Sequence, residues 1–326
     1  MKLSFFLLSF ALLSSCTTVK KSDAQPGNQL LKDVEILSSD AYEGRKTNTK
    51  GAEMAREYLA SRFKAIGLKS FAGKENFEHP FSFELSGTPV SGKNMIGYIE
   101  GNMDSVIVIS AHYDHVGMKN GEVYNGADDD GSGTVALLEI AQAFMQAKKD
   151  GYGPKRSILF LHVTGEEHGL HGSRYYSENP LFPIKNTIAD LNIDMIGRRD
   201  EEHKDNGNYV YVIGSDRLST DLHNINEEAN KKYTDLKLDY TFNDKNDPNH
   251  FYERSDHYNF AKKGIPIIFY FNGVHEDYHQ PGDEVGKIDF PMLAKRAKLV
   301  YFTAWELANG AKRPVVDKND DGSIKK

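Results

Sequence analysis

Cysteine is almost missing from this sequence: Cys16 stands alone among 326 residues. A single cysteine excludes an internal disulfide framework, and its position leaves the body of the chain without a thiol nucleophile. Tryptophan is as scarce, with Trp305 the only one. No long basic run occurs and the net charge is −7, which argues against a nucleic-acid footprint. A serine-hydrolase elbow is missing too, because Asp130 and not glycine precedes Gly131-Ser132-Gly133. No internal repeat and no second domain boundary is visible, so one domain is expected. What is present, 39% hydrophobic and 11% aromatic residues, suffices for a sizeable core and excludes global disorder.

Residues 1–15 read as a removable signal rather than as fold. Lys2 gives a basic start, and Leu3 to Leu13 is apolar but too short to span a membrane and stay. The following Leu13-Ser14-Ser15-Cys16 resembles the lipobox of bacterial lipoproteins. That resemblance implies an exported chain, lipidated on Cys16 and anchored to a membrane on its periplasmic or cell-surface side. Loss of Lys2 with the signal leaves 39 basic residues against 47 acids. Residues 16–28 are polar and read as a tether, 29–312 as the folded domain, and 313–326 as a polar tail. Within the tail, Asp317-Lys-Asn319-Asp-Asp321-Gly322 matches half of a calcium loop but lacks the closing glutamate, so a solvated, frayed end is expected.

In the body, apolar spacing predicts helices over Leu30–Leu37 and Gly51–Ile66, with Gly67 as a stop, and over Thr134–Ala147, Leu218–Lys231 and Phe290–Leu307. Phe77–Leu85 and Asn94–Ile99 read as antiparallel edge strands. Ser105–Ser110, Ser157–Val163, Leu191–Gly197, Tyr209–Ile213 and Ile265–Phe271 read as buried strands. Leu236–Arg254 reads as an irregular excursion. The expected fold class is α/β, a three-layer α/β/α sandwich around a mixed, mostly parallel sheet.

Several of these strands give out into metal-ligand chemistry. His112-Tyr-Asp114-His115, Gly126-Ala-Asp128-Asp129-Asp130, Glu166-Glu167, Asp194 and His279 all fall at or near strand ends, where open α/β sheets bind ligands. Imidazole mixed with carboxylate suits zinc better than magnesium. The five candidates His112, Asp128, Glu167, Asp194 and His279 exceed what one catalytic zinc uses, and suit two ions sharing a carboxylate. Such a pair can hold a hydroxide and polarise a carbonyl, and Glu166, beside a ligand but not itself one, is placed to act as general base.

These ordered clusters resemble the signature of the di-zinc aminopeptidases, metallopeptidase family twenty-eight, over most of residues 30–310. The resemblance implies two Zn2+, with His112 and Asp194 on one ion, Glu167 and His279 on the other, Asp128 bridging them and Glu166 as the base. It implies Asp114, Asp129 and Asp256 in support of the ligands, and a non-proline cis peptide after Asp128. Tyr252, three residues before Ser255-Asp256-His257, would donate to the substrate carbonyl. Gly131 and Asn125 depart from the common alanine and proline without removing a ligand. The implied reaction is zinc-dependent release of N-terminal residues from peptides, with no organic cofactor.

Other readings sit beside it. His275-Glu-Asp-Tyr-His279 matches HExxH, but a strand before it and Pro281-Gly282 after it oppose the helix that motif needs. His168 and His171 are expected as loop residues. Glutaminyl-peptide cyclotransferases resemble the same fold, yet tend to enclose substrate with tryptophans, and Trp305 lies in the last helix. A non-catalytic binding relative would be expected to have lost ligands, and carboxypeptidase or dipeptidase specificity is compatible with the same scaffold.

Overall fold

The computed structural model describes residues 27–73, 76–319 and 323–325. The signal segment, Cys16 and the tether up to residue 26 lie outside them. Helices α1 (Gly27–Leu37) and α2 (Lys50–Ile66) precede strands β1 (Glu78–Leu85), β2 (Thr88–Ile99) and β3 (Met103–His112). A small hairpin, β4 (Gly117–Lys119) and β5 (Glu122–Tyr124), leads to α3 (Gly131–Lys149), β6 (Arg156–Val163), α4 (His171–Glu178) and β7 (Thr187–Ile193). Then come β8 (Tyr209–Ile213), α5 (Thr220–Tyr233), β9 (Lys237–Asp239), α6 (His257–Ala261), β10 (Ile267–Phe271) and α7 (Phe290–Asn309).

The main sheet runs β1-β2-β6-β3-β7-β10-β8-β9. Its centre, β6-β3-β7-β10, is parallel, while β1, β2 and β8 pair antiparallel to their inner neighbours. The apolar runs explain this placement. Ile107, Ile109, Ile158, Phe160 and Ile268 point into one core with α2, α3 and α7, whereas Val106, Val108, Leu159, Leu161 and Phe269 point into another with α4 and α6. A strand buried on both faces reads as a near-continuous apolar run, and these segments do, with Ser110 on β3 and His162 on β6 among the buried exceptions.

Chain direction builds the site. From β3 the chain crosses to β6 on one side, then passes back over β3 to β7 on the other. The strand order therefore switches around β3, and a crevice opens at the carboxyl ends of the parallel strands. Helix starts and stops follow local chemistry. The Thr49 hydroxyl caps α2 at Ala52 N, and Gly67 closes it at φ 90°, where the missing Cβ removes the penalty.

Several features differ from the sequence expectation: β7 spans Thr187–Ile193 rather than Leu191–Gly197, and β9 forms inside the stretch read as irregular. α4 and α6 form although His171–Glu178 carries no apolar stripe and α6 has only five residues. Their helicity follows from packing of Tyr176 and Phe260 under the sheet. α3 begins at Gly131 rather than Thr134, because Asp130 caps it. The start of the tail is docked rather than frayed. Arg313 donates to the carbonyls of Lys185 (2.7 Å) and Thr187 (3.0 Å), and Asp317 accepts from Thr220 N (2.9 Å). Among the described residues, no helix is long and apolar enough to cross a membrane.

Candidate metal centre and active site

Four parallel strands deliver the cluster. His112 ends β3, Glu166-Glu167 follow β6, Asp194 follows β7, and His279 sits in the loop after β10. Between them stands Asp129. Its Oδ1 lies 3.3 Å from His112 Nε2, and its Oδ2 lies 3.1 Å from His279 Nε2. Asp194 Oδ1 faces His112 Nε2 at 3.5 Å, and Glu167 Oε2 faces His279 Nε2 at 3.1 Å. Of the five ligands read from the sequence, the structure thus brings four together.

Asp128 is the exception. Its Oδ1 accepts from Gly197 N (2.6 Å) and its Oδ2 faces His275 Nε2 (3.2 Å), so the carboxylate is used up inside the protein. The central position expected for Asp128 falls to Asp129, previously read as a supporting residue. Asp283 fixes this register by accepting from both Asp128 N and Asp129 N at 3.0–3.1 Å. The non-proline cis peptide lies at Asp129–Asp130, one residue later than expected. His115, left unplaced by the sequence, also joins the cluster, with Nδ1 2.8 Å from Glu167 Oε1 and 3.6 Å from Asp129 Oδ2.

The supports are specific. Asp130 lies within ligand distance of His112 and Asp194, but backbone amides already occupy both its oxygens. Oδ1 accepts from Gly133 N and Met195 N, and Oδ2 from His112 N, so Asp130 ties β3, β7 and α3 together. Asp114 accepts from Thr47 Oγ1 (3.0 Å), Gly165 N (2.9 Å) and Glu166 N (3.5 Å), which sets the loop carrying Glu166. Its backbone carbonyl lies 3.0 Å from His112 Nδ1, fixing the ring. Ser255 donates to Asp194 Oδ2 (2.7 Å), and Asp256 is buried beside Ser173 and Asp194. Beneath the loop, fully buried Arg45 donates to the carbonyls of Leu37, Tyr113, Asn125 and Gly126 at 2.7–2.9 Å.

The electrostatics are those of crowded, dry acids. Burial, reinforced by Asp194, Asp256 and Glu167, pushes Glu166 well above the usual carboxylate range, although His112 opposes it. Burial also raises Asp256, to about 7. Glu167 is drawn down to about 2: burial and Asp129 resist, and His115 and His279 prevail. Burial opposes charging of His279, yet Asp129 and Glu167 raise it to about 10. A divalent cation is the natural neutraliser of such a set. The donors fit zinc, since all are imidazole nitrogens and carboxylate oxygens. Asp129 Oδ2, Glu167 Oε1 and His115 Nδ1 also converge without hydrogen-bond geometry despite full burial.

Two cavities meet at Glu166 and His279. The larger, about 410 Å³, is an open cleft. The smaller is walled by Phe251, Phe269, Phe271, Val274 and Met195 beside His112 and Asp129. Tyr252 lines neither; its ring packs on Gly214 and under the Arg217 guanidinium (3.7 Å). Tyr278 lines both, and burial with Asp129, Asp194, Glu166 and Glu167 raises its pKa, keeping its proton in place. Sequence reading passed over Tyr278, whose only signal was adjacency to His279. Residues 275–279 form a turn, not a helix, and His275 faces Asp128 instead of the cluster. His171 stacks on Phe83 (3.9 Å), and His257 Nε2 lies 2.8 Å from the Tyr252 carbonyl.

Comparison with known proteins agrees with this architecture. The model of peptidase family M28 matches residues 94–304. A probable leucine aminopeptidase of Trichophyton verrucosum is 34% identical over 219 residues, covering 64% of this chain and 56% of the relative. One from Arthroderma otae is 27% identical over 93% of this chain and 84% of its own length. The chain therefore spans little more than half of the first of these relatives. Among solved structures, BSAP, a zinc aminopeptidase from Bacillus subtilis, superposes with TM-score 0.68 at 18% identity, covering 89% of this chain and 98% of that one. Porphyromonas gingivalis glutaminyl cyclase gives TM-score 0.68 at 19% identity, over 85% and 97%. The fold is common to both chemistries, so residues must decide between them.

Proposed function

Because the chain belongs to peptidase family M28, we propose that it is a zinc-dependent exopeptidase that releases N-terminal residues from peptides, with two zinc ions held on either side of Asp129. The observation that carries this reading is the pair of Asp129 oxygens, one facing His112 and the other His279. His112 and Asp194 would hold one ion, Glu167 and His279 the other, with His115 close to the second. Bound there, zinc would acidify a water and polarise the scissile carbonyl.

The chain's own residues supply the rest. Glu166, standing where the two cavities meet, accepts the proton of the attacking water and hands it to the departing amine. Burial and the neighbouring acids raise its proton affinity in the metal-free protein. Cations bound beside it would bring that affinity down, leaving the carboxylate charged and ready to act as base. Tyr278 keeps its hydroxyl proton and donates it as a hydrogen bond to the carbonyl oxygen, the role first given to Tyr252. Phe251, Phe269, Phe271, Val274 and Met195 would meet the N-terminal side chain, which has to widen a cavity of only about 30 Å³. Trp305 packs on Phe144 and Tyr301 in the helical layer, so it walls no substrate pocket of the cyclase kind. With the lipobox-like Cys16, the enzyme would act outside the cytoplasm on a lipid tether.

The test uses the zinc-loaded chain from Thr17 onward and two matched peptides, one beginning with leucine and one with glutamine, followed by mass spectrometry. Stepwise loss of N-terminal residues, stopped by a chelator, is expected. Loss of ammonia from the glutamine peptide alone would make the protein a cyclase, and two intact peptides with metal bound would leave a binding role.

A further inference from the structure

The open cleft carries charge of a kind the chemistry at Glu166 does not use. Besides the acids, its lining presents Arg174 from α4, Lys262 at the end of α6, and Arg254 from the turn before α6. All three side chains are exposed, and among the described residues none has a carboxylate within 4.0 Å. Their contacts hold them in place without neutralising them. Arg254 lies over the Phe251 ring (4.9 Å) with Nη2 3.5 Å from the Tyr278 hydroxyl. Lys262 lies over the Tyr258 ring (4.7 Å), and Arg174 bonds His171. Arg174 and Lys263 depress the pKa of Lys262 after burial does, so like charges crowd there against the pull of Glu178. Of the acids lining the cleft, Glu166 and Glu167 belong to the cluster, and Glu253 faces His250 at 4.0 Å.

A chain whose net charge is negative thus lines its substrate cleft with three cations that stand in no ion pair among the described residues. Unpaired, closely set cations in a concave surface focus a field that attracts anions. Arg254 lines both cavities, so the cationic wall begins beside the reacting atoms and runs outward. Resting on the aminopeptidase reading, we infer that this wall receives a carboxylate on the leaving-group side of the scissile bond. The substrate class is therefore short peptides whose terminal carboxylate reaches the wall, or peptides with an acidic residue just after the cleaved bond. The shared chemistry is a carboxylate held by guanidinium and ammonium groups.

The experiment compares kcat/KM for Leu-Gly-Gly, Leu-Gly-Gly-amide and Leu-Asp-Gly-amide, with leucine p-nitroanilide as a reference that carries no carboxylate. The inference expects the free tripeptide or the aspartyl peptide to exceed the neutral amide by about fivefold to tenfold, mainly through KM. Whichever exceeds it identifies the source of the carboxylate. Raising salt from 0.05 to about 1 M should shrink the preference towards unity. The double variant R174Q/K262Q should do the same, read as the ratio of substrates so that a general loss of activity does not enter. Equal kcat/KM for all three peptides while leucine p-nitroanilide is cleaved would overturn the inference and leave the aminopeptidase standing. A preference untouched by salt and by the double variant would overturn it as well. No cleavage of any substrate, leucine p-nitroanilide included, would sink the aminopeptidase reading itself.

Discussion

Replacing Arg45 with methionine tests how the acidic loop is held. The guanidinium is fully buried and makes four bonds of 2.7–2.9 Å to carbonyls on three different segments. Methionine has similar length and no donors, so R45M removes all four bonds and orphans the carbonyls of Leu37, Tyr113 and Asn125, while Gly126 keeps the amide of Gly131 (3.2 Å). Each orphaned group costs about 1–3 kcal/mol, which sets a gross loss of roughly 3–9 kcal/mol. Relief of the guanidinium's own desolvation offsets part of it. That desolvation is visible in the lowered pKa of Arg45, which persists although Asp283, Asp129, Asp130 and Asp114 favour its charge. A net loss of about 4 kcal/mol follows, comparable to much of a domain's total stability of about 5–15 kcal/mol. In a calorimeter, the zinc-free protein should melt about 6 °C lower. Two of the lost bonds, to Asn125 and Gly126, hold the loop that carries Asp129, so zinc affinity should fall about tenfold or more. R45K should recover less than half, because an ammonium cannot fan out to four carbonyls. A melting temperature within 2 °C (about 0.5–1 kcal/mol) of the parent would refute the reasoning.

Other outcomes follow from the same contacts. D129N should lose most bound zinc while D128N, whose side chain serves Gly197 N and His275, should keep it; atomic absorption on the dialysed proteins distinguishes the two. E166Q should retain metal and lose about 10²–10⁴-fold in kcat, the usual range for a removed acid–base group, in a leucine p-nitroanilide assay. Glu139, on α3, is raised to about 7 by burial and by Asp33, against the pull of Arg62. The folded state therefore holds that proton more tightly than the unfolded chain, and stability falls as pH rises from about 4.5 to 7. E139Q should raise the melting temperature at pH 8 by a few degrees, for about 2 kcal/mol, and this gain should shrink near pH 4.5.

The sequence made the scaffold legible because the strands that matter are buried on both faces. Segments such as Ser157–Val163 have no polar face to blur the signal, and the chemistry begins where their apolar character stops. The identity of the central carboxylate was not legible. Asp128, Asp129 and Asp130 are chemically alike, and three separate partners sort them: His275 and Gly197 N for the first, the histidines of the cluster for the second, and the amides of Gly133 and Met195 for the third. Most of these partners are distant in sequence, His112 on β3 before the run and Met195, Gly197, His275 and His279 after it, so no local spacing could assign the roles. Tyr278 and Tyr252 pose the same problem. Each lies a few residues from a recognisable motif, and only tertiary packing turns Tyr252 under Arg217 and leaves Tyr278 facing Glu166. Arg45 left no signal, because its partners are backbone carbonyls and carry no side-chain pattern.

Anomalous diffraction at the zinc edge, from crystals of the zinc-loaded chain, tests the central claim most directly. The account expects two peaks flanking the Asp129 carboxylate, one beside His112 and Asp194 and the other beside Glu167 and His279. A single peak, or peaks beside Asp128 and His275, would contradict it.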